Sequence, residues 1–159
     1  MDDLVKKDVN KVHQIFDTLG LPRLTASNLK FLSEHTTVMG YVARALDILQ
    51  GEKKMFYGYL APTIRSLKRS LQDAIDVTSL TATPAKQPLE YCKPLARALL
   101  AGISKRFDRI IQQDDAILAA RVHPKFKTNW LDEAEIDGVN KLLRDALIAQ
   151  ITATRAGGG

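Results

Sequence analysis

The sequence predicts an all-α fold, an antiparallel bundle of about five long helices and one short helix. Apolar residues recur at alternating spacings of three and four along most of the 159 residues, which is the period of a helix that buries one face. No stretch alternates apolar and polar residues for long enough to form a strand. Pro and Gly separate the periodic segments, and the brief linkers between most of them favour antiparallel neighbours.

The first predicted helix has a cap at its start and a strong stop at its end. Asp2 or Asp3 can cap it, and Gly20 followed by Pro22 ends it. Its apolar residues lie on one face and are Val5, Val9, Val12, Phe16 and Leu19. This stripe predicts a helix that packs one side against the rest of the chain.

The next two helices are predicted from a cap and a proline. A cap at Thr25 or Ser27 precedes the second helix, which covers about residues 28–50. The third helix starts near Glu52 and contains Pro62. Because proline removes one helical hydrogen bond and clashes with the preceding turn, we expect a kink or a restart at Pro62.

One long loop separates the third helix from the fourth. Residues 76–88 are rich in Thr, Ser and Pro, which argues against regular structure. The fourth helix is predicted over about residues 89–113. Its regular part should start close to Pro94, because a first turn tolerates proline.

A short helix and a long one complete the prediction. Asp114 or Asp115 is expected to cap the short helix, which ends at His123 because a residue before proline avoids the helical conformation. The last helix starts in the acidic run at residues 132–135, which resembles a capping box, and continues to about Thr154.

Composition and charge fit a single intracellular helical domain over residues 1–156, followed by a flexible tail at 157–159. No apolar run approaches the roughly 20 residues that span a bilayer, so we expect no membrane partner. The N-terminus lacks the apolar core of a signal peptide, and the single cysteine, Cys92, fits a reducing compartment. The net charge of +5 permits contact with nucleic acid without requiring it.

The residue types that usually carry catalysis have structural explanations in this sequence. The acidic pairs stand where helices are predicted to begin, so capping and the helix dipole account for them. None of the three histidines has a second histidine at helical spacing, no His-Glu-x-x-His pattern occurs, and Cys92 lies on an apolar stripe. We therefore predict no catalytic, metal-binding or cofactor-binding residue, no cofactor and no small-molecule substrate.

Two basic sets provide the candidate binding residues for nucleic-acid backbone, with weak and non-specific affinity. They are Lys105, Arg106 and Arg109 before the short helix, and Arg121, Lys125 and Lys127 around its end. Each cation adds salt-sensitive phosphate affinity. Phe126 and Trp130 either stack on bases beside these cations or anchor the core. The core role is favoured, because large aromatic residues beside a chain reversal usually pack inward.

Four motifs follow one another along the middle of the chain. They are Leu49-Gln50-Gly51-Glu52, Pro62-Thr63-Ile64-Arg65-Ser66-Leu67, Lys105-Arg106-Phe107 and the corner from Ala119 to Lys127. Their order resembles the helical region of hAT-superfamily transposases and of their BED-type zinc-finger relatives, over residues 29–131. His123 departs from the family corner, which more often has Asp at this position.

The resemblance implies a non-catalytic part of a larger, transposase-derived nuclear protein. In that family the three metal-binding acids belong to a ribonuclease-H-like core that lies before and beyond the helical region. None of those acids can be assigned to a residue of this chain, so the resemblance implies no enzyme activity here. What it implies is a helical domain with a weak DNA-backbone contact or a scaffolding role.

Two other functions remain open on the sequence alone. The first is a protein–protein interaction module without a nucleic-acid role, in which a groove between helices holds a partner helix or a second copy. An exposed apolar patch would favour this module. The second is an enzyme in its own right, for which the sequence offers no constellation of catalytic residues.

Overall fold

The computed structural model describes residues 9–51, 56–78, 81–83 and 87–156. Over these ranges the chain has six α-helices, one 3-10 helix and no β-strand, so the all-α prediction is confirmed. The α-helices are α1 (Val9–Thr18), α2 (Ala26–Leu49), α3 (Leu60–Asp76), α4 (Lys93–Ile111), α5 (Asp114–Val122) and α6 (Glu133–Ala156), and the 3-10 helix is Tyr57–Tyr59. The predicted caps Asp2 and Asp3, residue Val5 and the predicted tail at 157–159 lie outside the described residues.

The predicted stop after α1 is confirmed, and its geometry explains it. Gly20 has a φ of +66°, a left-handed conformation that glycine adopts without steric cost. Leu21 donates its N–H to the carbonyl of Phe16 at 2.8 Å, and Gly20 donates to Asp17 at 3.1 Å. These two bonds form a Schellman motif, which satisfies carbonyls that the end of the helix leaves open.

Thr25 is the cap of α2. Its hydroxyl accepts the N–H of Asn28 at 3.2 Å, and the Asn28 side chain accepts the N–H of Thr25 at 3.0 Å. The two residues thereby satisfy each other's backbone donors in the manner of a capping box. The helix starts at Ala26, slightly earlier than predicted.

The third segment restarts rather than kinks at its proline. Phe56 has an extended backbone, the 3-10 helix Tyr57–Tyr59 follows, and α3 begins at Leu60. Pro62 thus lies in the first turn of α3, where its missing N–H has no acceptor within the helix in any case. Glu52, the predicted start of this segment, lies outside the described residues.

The predicted cap of α5 is wrong, and the predicted cap of α6 is confirmed in part. The residue before α5 is Gln113, so Asp114 and Asp115 do not cap it and lie in its first turn instead, where carboxylates complement the helix dipole. The capping-box prediction for α6 is confirmed in its reach-back half. There the backbone N–H of Asp132 donates to the carboxylate of Glu135 at 3.0 Å.

The chain divides into two compact units. The first comprises Met1–Arg44 and Ser70–Leu100, and the second comprises Ala45–Arg69 and Ala101–Gly159. The core of the second unit is formed by buried residues from α3, α4, α5 and the turn before α6, namely Ala61, Ile64, Ile111, Ala120 and Trp130. All the candidate binding residues belong to this second unit.

A buried carboxylate organises the first unit. Glu34 on α2 is 8% exposed, and its oxygens accept the backbone N–H groups of Glu90, Tyr91 and Cys92 at 2.9, 2.8 and 2.9 Å. These donors precede Lys93, the first residue of α4. A negative side chain therefore fixes the entry into α4, close to the positive end of its dipole.

No described helix combines the length and the apolar character that crossing a membrane requires.

Candidate nucleic-acid interface

The chain reverses at His123 and Pro124, between α5 and α6. His123 ends α5 with an extended backbone (φ −71°, ψ 124°), as predicted for a residue before proline. Its carbonyl accepts the N–H of Phe126 at 3.1 Å and of Lys127 at 3.2 Å, and its Nδ1 accepts the N–H of Lys125 at 3.2 Å. Lys127 has a positive φ of 50°. The reversal therefore places two lysines and a histidine within one turn.

The 3-10 helix Tyr57–Tyr59 packs against α5 through a glycine. A Cβ atom added to Gly58 would lie 3.0 Å from the carbonyl carbon of Ala119, closer still to its oxygen, and 3.3 Å from the Cβ of His123. Any side chain at position 58 would overlap these backbone atoms, so the contact requires glycine. The residues on either side of Gly58 are thereby held against the reversal.

The close approach produces a cluster of rings with a cation on it. The Tyr59 ring meets the rings of His123 and Phe126 edge-on, each at 4.9 Å between centroids. Phe56 stands 6.2 Å from His123, and 62% of it is exposed. The Lys125 ammonium lies 5.1 Å from the Tyr59 ring and 5.5 Å from the Phe126 ring, within cation–π range. We call Phe56, Tyr59, His123, Lys125 and Phe126 the aromatic corner.

Trp130 anchors the core, which confirms the packing interpretation for this residue. It is only 7% exposed, and its indole N–H donates to the carbonyl of Lys127 at 3.1 Å. The Arg65 guanidinium covers the ring at 4.8 Å. Phe126 is half-buried and packs against the same core. The alternative that Trp130 stacks on bases is therefore wrong. The exposed rings of the 56–59 segment are Phe56 and Tyr57, at 62% and 44%.

The six predicted cations lie in one unit, and five of them are exposed. Lys105, Arg106 and Arg109 occupy the second half of α4, and Lys125 and Lys127 follow α5. Arg121 differs because it is half-buried and donates from Nε and Nη2 to Oδ1 of Asn140, at 3.1 and 3.0 Å. Among the described residues, none of the six forms an ion pair with a carboxylate.

The cations of α3 behave differently from those six. Arg65 donates to both oxygens of Glu135 at 2.6 and 3.0 Å, Lys68 pairs with Asp108 at 2.6 Å, and Arg69 pairs with Asp132 at 3.1 Å. The hydrogen bonds from Arg65 hold the pKa of Glu135 below its usual value. The α3 cations are thus neutralised by carboxylates and serve the packing of the second unit.

Sequence reasoning missed Phe56 and Gly58 as parts of this region. Their local signal is the run Phe56-Tyr57-Gly58-Tyr59, in which three of four residues are aromatic. Exposed rings beside cations are the usual components of surfaces that hold unpaired nucleotides. Over the described ranges, no three His, Cys, Asp or Glu side chains are grouped so that they could hold a metal ion.

No protein-family model, no curated protein and no solved structure matches the chain.

Proposed function

We propose that the chain is a non-catalytic helical domain that contacts the backbone of nucleic acid through the six cations of α4, α5 and the turn after α5. The observation that carries the proposal is the division of cations within the second unit. Carboxylates neutralise Arg65, Lys68 and Arg69. None of the six predicted cations pairs with a carboxylate of the described residues, and all of them except Arg121 are exposed. Each unpaired cation that meets a phosphate releases a condensed counterion, which is the main source of non-specific affinity.

The aromatic corner favours nucleic acid over a simple polyanion as the partner. Phe56 offers an exposed ring face, and the Lys125 ammonium lies among the neighbouring rings. Bases stack on such rings with little regard to sequence, while the cations track the phosphates. Weak, non-specific contact is therefore the expected behaviour, and sequence-specific readout is not.

The ordered motifs that resemble hAT transposases favour DNA as the nucleic acid and the nucleus as the location. They also support a scaffolding role beside the DNA contact. The proposal includes no catalytic residue, no metal and no cofactor, because it requires only charge and ring surfaces.

Neutralising four of the cations is expected to reduce DNA binding to below detection near physiological salt. In the variant Arg106→Gln, Arg109→Gln, Lys125→Gln and Lys127→Gln, about four phosphate contacts are lost. At low salt, where binding is stronger, the magnitude of the slope of log K against log salt should be smaller by about 3 to 4. Fluorescence anisotropy with a labelled oligonucleotide measures both quantities. The wild-type Kd is expected at about 1–100 µM near physiological salt.

A matched control carries the same change in net charge outside this region. It replaces Arg44, Lys93, Arg97 and Lys141 with Gln, none of which forms an ion pair with a described residue. The proposal predicts that the control keeps most of the affinity and of the salt slope. Equal losses in both variants would show that only the net charge matters, and equal retention would remove the DNA role.

A further inference from the structure

The last three turns of α6 lack cover. From Arg144 to Arg155 every residue is exposed except Ala146, which is half-buried. Leu147, Ile148 and Ile151 are 54%, 56% and 52% exposed. Most of the stability of a helix in a protein comes from packing of its apolar face, and Ile and Thr are not strong helix formers. This segment therefore gains stability if an apolar partner covers it.

One exposed face of α6 has a sequence of charged and apolar residues that is complementary to the same sequence running in the opposite direction. Spacings of four and three place six exposed residues in a single stripe, namely Asp137, Lys141, Arg144, Ile148, Ile151 and Arg155. Such spacing is that of a helix seam that meets another helix along its length. The stripe can be paired with an antiparallel copy of itself, with the two-fold axis at residue 146. Every position then faces a suitable partner.

The pairs follow directly from that register. Asp137 of each copy faces Arg155 of the other, which places an acid–base pair at both ends. Each isoleucine faces a long basic side chain, since Lys141 meets Ile151 and Arg144 meets Ile148. The aliphatic stems of Lys and Arg can cover apolar surface while their charges stay in water.

We propose that this face of α6 forms a two-fold, antiparallel interface with the same segment of a second copy. The surface is self-complementary, as a two-fold interface requires. When residue i of one copy contacts residue j of the other, residue j of the first copy also contacts residue i of the second. Leu147 flanks the stripe and lies close to the two-fold axis, so it adds an apolar contact between the copies. The proposal does not depend on nucleic-acid binding, since it uses none of the six cations.

The interface is small, so a weak and concentration-dependent dimer is expected. Sedimentation equilibrium of the whole chain over about 5–500 µM, a range suited to micromolar affinity, measures the dimer directly. Ile148→Asp with Ile151→Asp should leave a monomer over the whole range, because both isoleucines are already exposed and a charge there opposes association without disturbing the fold. Circular dichroism confirms that the variant remains helical.

Ala149→Asp with Gln150→Asp is the matched control, since it adds the same charge on the other side of α6 and should still dimerise. A wild-type chain that stays monomeric at the highest concentration would overturn the proposal. So would equal dissociation of both variants, which would indicate a loss of helix rather than of an interface.

Charge reversal tests the register and the identity of the partner. Asp137→Arg alone and Arg155→Asp alone each place like charges together at both ends, so each should weaken the dimer several-fold. The double variant restores opposite charges and should recover the wild-type association. Failure of the double variant to recover would overturn the antiparallel register, and association only with an unrelated helical protein would overturn the second copy as the occupant.

Discussion

Gly58→Ala is expected to lower the free energy of unfolding by about 1–3 kcal/mol, because overpacking against a fixed backbone costs this much. The added Cβ would lie 3.0 Å from the carbonyl carbon of Ala119 and closer still to its oxygen. Neither atom can move without displacing α5, so the 3-10 helix and α5 must separate. The separation also removes Phe56 and Tyr59 from the aromatic corner.

Urea unfolding followed by circular dichroism measures this loss. Gly138→Ala, in α6, is the matched control, because a Cβ added there meets nothing within 4 Å apart from the local backbone of α6 itself. Since alanine is the better helix former, that variant should be unchanged or more stable by up to about 1 kcal/mol. A Gly58→Ala protein that unfolds at the wild-type urea concentration would show that the contact with α5 is looser than described.

Glu34→Ala is expected to destabilise the first unit by about 3–5 kcal/mol, since hydrogen bonds to a charged group are among the strongest and a buried unpaired donor is costly. Three backbone donors, at Glu90, Tyr91 and Cys92, lose their acceptor at once. The entry into α4 is then no longer fixed. We therefore expect fraying of the start of α4 in addition to the loss of global stability.

The Cys92 thiol provides a local readout of that fraying. It is 1% exposed, and burial together with the negative charge of Glu34 raises its pKa. Alkylation of this thiol should therefore be slow in the wild type and much faster in Glu34→Ala. Glu34→Gln keeps one carbonyl oxygen as an acceptor and should fall between the two.

An exposed glutamate serves as the control for Glu34. Glu90 forms an ion pair with Lys30 at the surface, and exposed pairs of this kind contribute little to stability. Glu90→Gln should therefore leave both unfolding and thiol alkylation close to wild type. If Glu34→Ala behaved like this control, the three hydrogen bonds would not be the anchor of α4.

The helix ends could be predicted because local residues determine them. Gly20 ends α1 through its own left-handed backbone, Thr25 caps α2 through Asn28, and His123 ends α5 because a proline follows it. Each of these causes lies within a few residues of its effect. Pattern reasoning detects such causes, since the chemistry and the sequence spacing coincide.

Contacts between distant residues could not be predicted in the same way. Glu34 reads as an ordinary surface glutamate on α2, and its partners are 56 to 58 residues away. Gly58 needs to be glycine only because of Ala119 on another helix. Nothing near either residue in the sequence reports the distant partner, so only the folded chain reveals their roles.

The sequence alone identified the six candidate cations and missed the aromatic residues Phe56 and Tyr59, which join one of them, Lys125, in the aromatic corner. Five of the six cations are exposed, but the sequence could not show that carboxylates neutralise Arg65, Lys68 and Arg69 instead. That distinction requires the approach of Asp108, Asp132 and Glu135 from other segments. The same limitation hid the exposure of the Phe56 ring.

The central claim is that nucleic acid contacts the second unit around the aromatic corner and the cations of α4. Titration of the isotopically labelled chain with a short DNA oligonucleotide, followed by amide NMR shifts at low salt, tests it most directly. The account predicts that the largest shifts occur at residues 56–59, 105–109 and 121–129, and that they diminish as salt is added. Shifts spread evenly over the chain, or confined to residues of the first unit, would contradict it.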